Sequence, residues 1–295
     1  MLSYIIPFLI LILVVVFIHE YGHYYFARKY GVGVTDFSIG FGKELFGWND
    51  KHGTRWKVCA IPLGGYVKFF GDRNVYSQAD HEEILEKYNE EERDKLFILK
   101  PLYQRVLIVF GGPLANFLLA LAIFFCIYTF VGKDFTPAVI SEVQKDSPAM
   151  VGGLKNQDII LEIDGNEVKS IMEVSKYITM STSDFIDFKV KRSYEELILK
   201  VKPNIVEGED GLGNKINKRM VGIKLSAYND KINHVKLGPA QALYHAANEV
   251  YFVSVSSLKY IGGMIIGKAD TSQLGGPIRI AKISGQVATD RKSTR

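Results

Sequence analysis

Apolar positions in this chain are gathered into a few long runs rather than spread evenly. From Tyr4 to Ile18 every residue is apolar or aromatic. Continued through His19-Glu20-Tyr21-Gly22-His23 to about Phe26, the run predicts a helix able to cross a hydrocarbon core about 30 Å thick. A second run, Val106 to Val131, is also of crossing length, although Gly111-Gly112-Pro113 and Asn116 interrupt it. In lipid such interruptions are tolerated where other helices satisfy the freed polar groups, so the Asn116 side is expected to face protein. Between the runs, Gln78 to Lys95 is dense in Glu, Lys and Asp and predicts a solvated helix or loop. His81-Glu82-Glu83 within it has Leu85 where a second metal-binding His would stand, and reads as surface.

Beyond Val131 the pattern becomes that of a soluble domain. The stretch from Pro137 to Val168 carries short β-rich runs, a Ser147-Pro148-Ala149 helix start and a tight Asp164-Gly165 turn between strands. Further strands are expected around Phe185 to Val190, Glu196 to Val201 and Met220 to Leu225. Gly238 to Ile266 has apolar residues at three- and four-residue spacing, the pattern of an amphipathic helix lying on a membrane surface. His245 stands alone there and is not read as a ligand.

Flanking charge sets an orientation. No Lys or Arg precedes Arg28, and no Ala-x-Ala cleavage pattern follows the first run, so a retained membrane helix is favoured over a signal peptide. Arg28, Lys29, Lys100 and Arg105 place residues 27 to 105 in the cytoplasm by the positive-inside rule. The N-terminus and the segment after Val131 then lie outside, with the histidines near the cytoplasmic end of the first helix.

Bulk numbers add exclusions. A formal charge of +4 over 295 residues, without a basic block, argues against nucleic acid as a partner. Cys59 and Cys126 are too few and too far apart for a disulfide framework. A mean hydropathy of +0.06 conceals the segregation described above.

The chemistry is concentrated in His19-Glu20-Tyr21-Gly22-His23. Helical positions i and i+4 share a face, so His19 and His23 can hold one zinc ion, with Glu20 beside them as general base. Ionisable side chains inside a membrane helix are costly, which favours a functional reading over a chance match.

These residues occur with Phe37 to Phe46 (FSIGFGKELF), Ile61 to Phe69 (IPLGGYVKF), Gly111 to Phe117 (GGPLANF) and Leu274 to Lys282 (LGGPIRIAK). In that order they resemble the site-2 protease family of intramembrane zinc metalloproteases, of the bacterial regulator-of-sigma-E protease type. The resemblance implies a metalloendopeptidase that cleaves transmembrane proteins, with an anti-sigma-factor-like substrate. It implies catalytic Glu20, the metal ligands His19 and His23 for Zn²⁺, and a cell inner membrane location. It further implies a β element near the site that pairs with unwound substrate, with substrate contacts at Gly40, Gly42 and Asn116. From the residues alone, a surface hairpin with Gly64-Gly65 as a turn, and an Asn116 bonded to a neighbouring backbone, stay open.

The segment after Val131 resembles a permuted PDZ domain, departing from it at Asn156-Gln157, where a glycine usually precedes Asp158. That implies a peptide bound in its groove by strand addition. The family pattern also carries later membrane helices and a third carboxylate ligand. No apolar run follows Ile283, and Asp290 lies in a polar, basic tail unlike that motif. The chain is accordingly expected to be a C-terminally truncated form. The alternative is a catalytically inactive, membrane-anchored PDZ module.

The fold class expected is an α+β membrane protein: two transmembrane helices, a periplasmic PDZ-like domain and a surface helix. The expected layout is 1-30 first membrane helix, 31-100 membrane-associated β region and charged loop, and 101-132 second membrane helix. It continues with 133-226 PDZ-like domain, 227-285 amphipathic helix and LGGPI segment, and 286-295 polar tail.

Overall fold

In the computed structural model the described residues are 2–71, 88–209, 215–228, 232–267, 276 and 279–286. Most of the charged 78–95 stretch, residues 274, 275, 277 and 278 of the LGGPIRIAK segment, and Asp290 lie outside them. The chain divides into two units, Met1–Ala120 with Pro277–Arg295, and Leu121–Gly276.

The first unit begins with helix α1, Leu2–Lys29. Arg28 and Lys29 in its last turn oppose the negative end of the helix dipole. Gly31, at φ 70°, then reverses the chain, and the Val32 N–H donates to the Ala27 carbonyl at 2.8 Å, the six-to-one closure of a glycine cap. Two long bent strands follow, β1 (Val34–Asn49) and β2 (Arg55–Phe69), joined by a turn at Asp50–Thr54. Asp36–Ile39 pairs with both halves of β2: Phe37 faces Val67 and Trp56, and Ser38 faces Tyr66 and Lys57. The later half of β1 pairs back as Trp48 opposite Trp56 and Asn49 opposite Arg55. The two strands therefore fold into four side-by-side segments.

Two details of the hairpin reading change. Gly64-Gly65 is not a turn: both residues lie inside β2, and Gly64, at φ 149°, carries a kink under the Phe41 ring. The turn is built by Asp50, whose carboxylate accepts from the His52 N–H at 2.8 Å and the Thr54 N–H at 3.0 Å. Gly40 and Gly42 both adopt left-handed φ, 87° and 84°, and bend β1. A Cβ on Gly40 would lie 2.8 Å from the Ile61 carbonyl oxygen, so the bend is reserved for glycine.

Helix α2, Leu102–Cys126, continues through a wider turn to Val131 and stops at Gly132, φ 113°. Ile5–Lys29 and Leu102–Val131 are each long and apolar enough to cross a membrane, and little of either is buried in the protein. A small core of Ala27, Val32, Val34 and Ile108 closes the end of α1 against the start of β1 and α2.

In the second unit an antiparallel sheet runs in the order β9-β3-β4-β5-β6: Ile223–Ala227, Ala138–Val143, Ile159–Ile163, Ile186–Arg192 and Glu195–Val201. Ile140, Ile160, Ile163, Phe188 and Val190 from its strands meet Val174 and Ile178 of helix α4 (Ile171–Met180) in one core. The expected local signals are present. Ser147 caps helix α3 (Pro148–Val151), accepting from the Met150 N–H at 3.2 Å. Asp164 and Gly165 both take positive φ, 49° and 75°, as a tight two-residue turn requires. Gln157 occupies the left-handed region at φ 70°, the conformation a glycine in that place would take without strain. Asp158 is buried and paired through both oxygens with Arg192 at 2.7 Å.

A hairpin of β7 (Asn204–Glu209) and β8 (Lys215–Met220), unforeseen in the sequence, is inserted before β9. Helix α5 covers Pro239–Ile265 as anticipated. Its Ala242 and Ala246 are buried against Tyr128 and Leu237. Tyr244, Tyr251, Leu258 and Ile265 recur every seven residues and are 62–82% exposed, a continuous apolar stripe.

Candidate metal centre

His19 and His23 stand one turn apart on α1, their rings 4.8 Å apart at 80°. Their Nε2 atoms converge to 3.2 Å. Two nitrogens bound at about 2.0–2.1 Å to one tetrahedral zinc ion would stand roughly 3.3 Å apart, so the pair fits that ion. The spacing comes from sequence; the ring orientation comes from α2. His23 Nδ1 lies 2.8 Å from the Ile108 carbonyl oxygen, to which only an N–H can donate. On a neutral ring that leaves His23 Nε2 unprotonated, the form that binds metal. His19 Nδ1 lies 3.2 Å from the Asn116 side-chain amide.

Glycines make room for this arrangement. Gly22, between the two histidines, meets Gly111 of α2 backbone to backbone: a Cβ on Gly111 would lie 2.7 Å from the Gly22 carbonyl oxygen. Such close approach of small residues is how helices associate in lipid. The next residue, Gly112, faces the two Nε2 atoms directly. A Cβ there would collide with His23 Nε2 and lie 2.7 Å from His19 Nε2. The space above the nitrogens is therefore the space a side chain would have filled.

Glu20 faces β2 instead. A Cβ on Gly65 would lie 3.1 Å from Glu20 Cγ and 2.6 Å from the Ser38 carbonyl oxygen, and the backbone N–H of Val67 faces the Glu20 carboxylate. Asp50 ties this sheet to the histidine helix. Its carboxylate accepts from the Tyr24 hydroxyl at 2.8 Å and from the Trp56 indole N–H at 3.0 Å. Partial burial opposes its charge, but hydrogen bonds from Trp56, Thr54, Tyr24 and His52 outweigh it and hold the carboxyl at about 2.

Of the residues singled out from sequence, His19, His23 and Asn116 come together, while Glu20 lies against Gly65 and Val67 of β2. Gly40 and Gly42 contact Ile61 and Cys59 instead, and Gly65 is the glycine that approaches Glu20. Sequence reasoning missed Gly65, Gly112 and the Ile108 carbonyl as parts of the site. The Gly111-Gly112-Pro113 interruption was the one available signal for the second of these. Among the described residues no three His, Cys, Asp or Glu side chains converge on one metal position.

The model of peptidase family M50 matches residues 7–294. The chain belongs to this family. Among curated relatives of this M50 chain, an Agrobacterium fabrum protein with a provisional zinc metalloprotease name is 39% identical over 97% of this chain and 76% of its own length. Metalloprotease MmpA of Caulobacter vibrioides is 34% identical, covering 96% of this chain and 72% of its own length. Among solved structures, the PDZ domain of an SdrC-like protein from Listeria monocytogenes matches 31% of this chain and 88% of its own, at 27% identity and a TM-score of 0.25. The M50 match bears out the site-2 protease resemblance.

Proposed function

We infer that this M50 member is a membrane-embedded zinc endopeptidase that cleaves a peptide bond of a transmembrane protein. The observation that carries the reading is the 3.2 Å convergence of His19 and His23 Nε2 beneath a glycine, inside an apolar helix. His19 and His23 hold the ion, and Glu20 accepts a proton from the attacking water and delivers it to the amine leaving group. Bound zinc supplies Lewis acidity for that hydrolysis.

The rest of the chain supports such a role. α1 and α2 span the bilayer, with the basic residues Arg28, Lys29, Lys100 and Arg105 on the cytoplasmic side. The stripe Tyr244, Tyr251, Leu258 and Ile265 lays α5 on the lipid surface. The PDZ-like sheet offers the edge of β9, paired with β3 on one side and with no other strand among the described residues, to an extended peptide. By resemblance, the substrate is anti-sigma-factor-like, in the cell inner membrane.

A second reading, a membrane-anchored peptide-binding module without turnover, draws on the count of two histidine ligands among the described residues. One experiment decides. Purified chain in nanodiscs is assayed for zinc content and for cleavage of a membrane-spanning reporter. Glu20→Gln is expected to keep zinc and lose cleavage at least 100-fold, on the order of a general base's contribution. Equal cleavage by Glu20→Gln sinks the protease mechanism, and zinc without cleavage in the parent favours the second reading.

A further inference from the structure

The geometry points to Asn116 as a positioning residue for the metal site, its side-chain carbonyl accepting a hydrogen bond from His19 Nδ1–H. This rests on the reading of His19 as a zinc ligand. The amide stands 3.2 Å from His19 Nδ1, with its nitrogen drawn toward the ring and its oxygen, Oδ1, buried without a donor. Amide nitrogen and oxygen are interchangeable by a rotation that leaves every heavy atom in place, and the choice follows the hydrogen-bond logic.

The two choices have opposite consequences for His19. If the amide N–H₂ donates to Nδ1, the proton of the neutral ring must sit on Nε2, the atom that faces His23 Nε2 at 3.2 Å. His19 then cannot bind metal through Nε2. If the amide oxygen accepts from Nδ1–H, that oxygen gains its donor, the N–H₂ takes the buried place the oxygen left, and Nε2 presents a lone pair, which is what decides for this orientation. His23 already has this arrangement, with the Ile108 carbonyl as its acceptor.

Ile108 and Asn116 are eight residues apart on α2 and lie on either side of the Gly111 crossing, just as His23 and His19 flank Gly22 on α1. One helix thus supplies the two metal-facing nitrogens, and the other supplies an acceptor for the far side of each ring. Acceptors of this kind fix ring orientation and raise ligand basicity.

The assignment is tested by zinc affinity, measured by competition with a chromophoric chelator, for the full chain in nanodiscs. The variants are Asn116→Asp, Asn116→Leu and His19→Ala. Asp can only accept in its ionised form and Leu can do neither, while both match Asn in size. The expected result is a Kd for Asn116→Asp equal to or below that of the parent, and about 10- to 100-fold weaker binding for Asn116→Leu. Independent confirmation comes from histidine ring ¹⁵N shifts, which should place the His19 proton on Nδ1 in the parent and in Asn116→Asp. Weakening by Asp as large as that by Leu, or a His19 proton on Nε2 in the zinc-loaded parent, overturns the assignment. A parent whose zinc binding is unchanged by His19→Ala overturns the metal reading itself, and the assignment with it.

Discussion

Gly22 of the histidine helix and Gly111 of the second apolar helix touch through their backbones, with 2.7 Å between a Cβ built on Gly111 and the Gly22 carbonyl oxygen. The contact sets how near α2 comes to the imidazoles. Gly22→Ala should push the helices apart, at a cost of about 1–3 kcal/mol of overpacking. Thermal unfolding in detergent should show the loss, and zinc retention should fall with it. An unchanged midpoint would show that the helices give way freely at this point.

Gly112 acts on the site without acting on the crossing. Gly112→Ala places a methyl group where the two Nε2 atoms converge, so the rings must swing aside. Zinc stoichiometry should drop to near zero while helix content, read by circular dichroism, stays at the parent level. Full zinc occupancy in Gly112→Ala would place the ion elsewhere.

Asp50 gives the β1–β2 sheet a pH dependence of definite sign. Its folded pKa, about 2, is below the ordinary value of about 3.9. A depressed carboxylate contributes stability that is complete above the unfolded pKa and is lost as pH falls through the folded one. Amide hydrogen exchange across residues 50–58 should therefore accelerate between pH 4 and pH 2, once corrected for intrinsic rates. Asp50→Asn should show fast exchange already at pH 7, with a local loss of about 1–3 kcal/mol from the charged hydrogen bonds.

Gln157 carries a left-handed backbone at φ 70° without being a glycine. That conformation costs a side-chain-bearing residue about 1–2 kcal/mol, and glycine's greater chain entropy returns about half of it. Gln157→Gly should raise the unfolding midpoint of the full chain by about 1–2 °C. A fall in the midpoint would mean that the side chain makes a compensating contact.

Much of this architecture was legible because it is written in side-chain pattern. The two apolar runs, the His19–His23 spacing, the Ser147 cap and the Asp164-Gly165 turn each follow from residue type at a local separation. What escaped is carried by backbone or by missing atoms. The Ile108 carbonyl orients His23, yet every residue has a carbonyl, so nothing marks it in the sequence. Gly112 and Gly65 serve by the side chains they lack, and their neighbours are distant in the chain. Asp36–Ile39 pairs with two halves of one strand, a register that alternation cannot specify. In the β7–β8 hairpin no side chain among residues 204–208 and 217–220 is fully buried, so there is no buried face to announce it.

The chain's two tryptophans, Trp48 and Trp56, stack on each other 5.8 Å apart in the β1–β2 sheet. Trp56 also meets the Tyr24 ring of the histidine helix at 5.2 Å and shares Asp50 with it. All indole emission therefore originates in one element beside the site. Light excited at the red edge of the protein spectrum reports on the sheet alone, with no dye attached and no residue replaced. A peptide threading along that sheet would announce itself as a change in colour or intensity before any bond is cut.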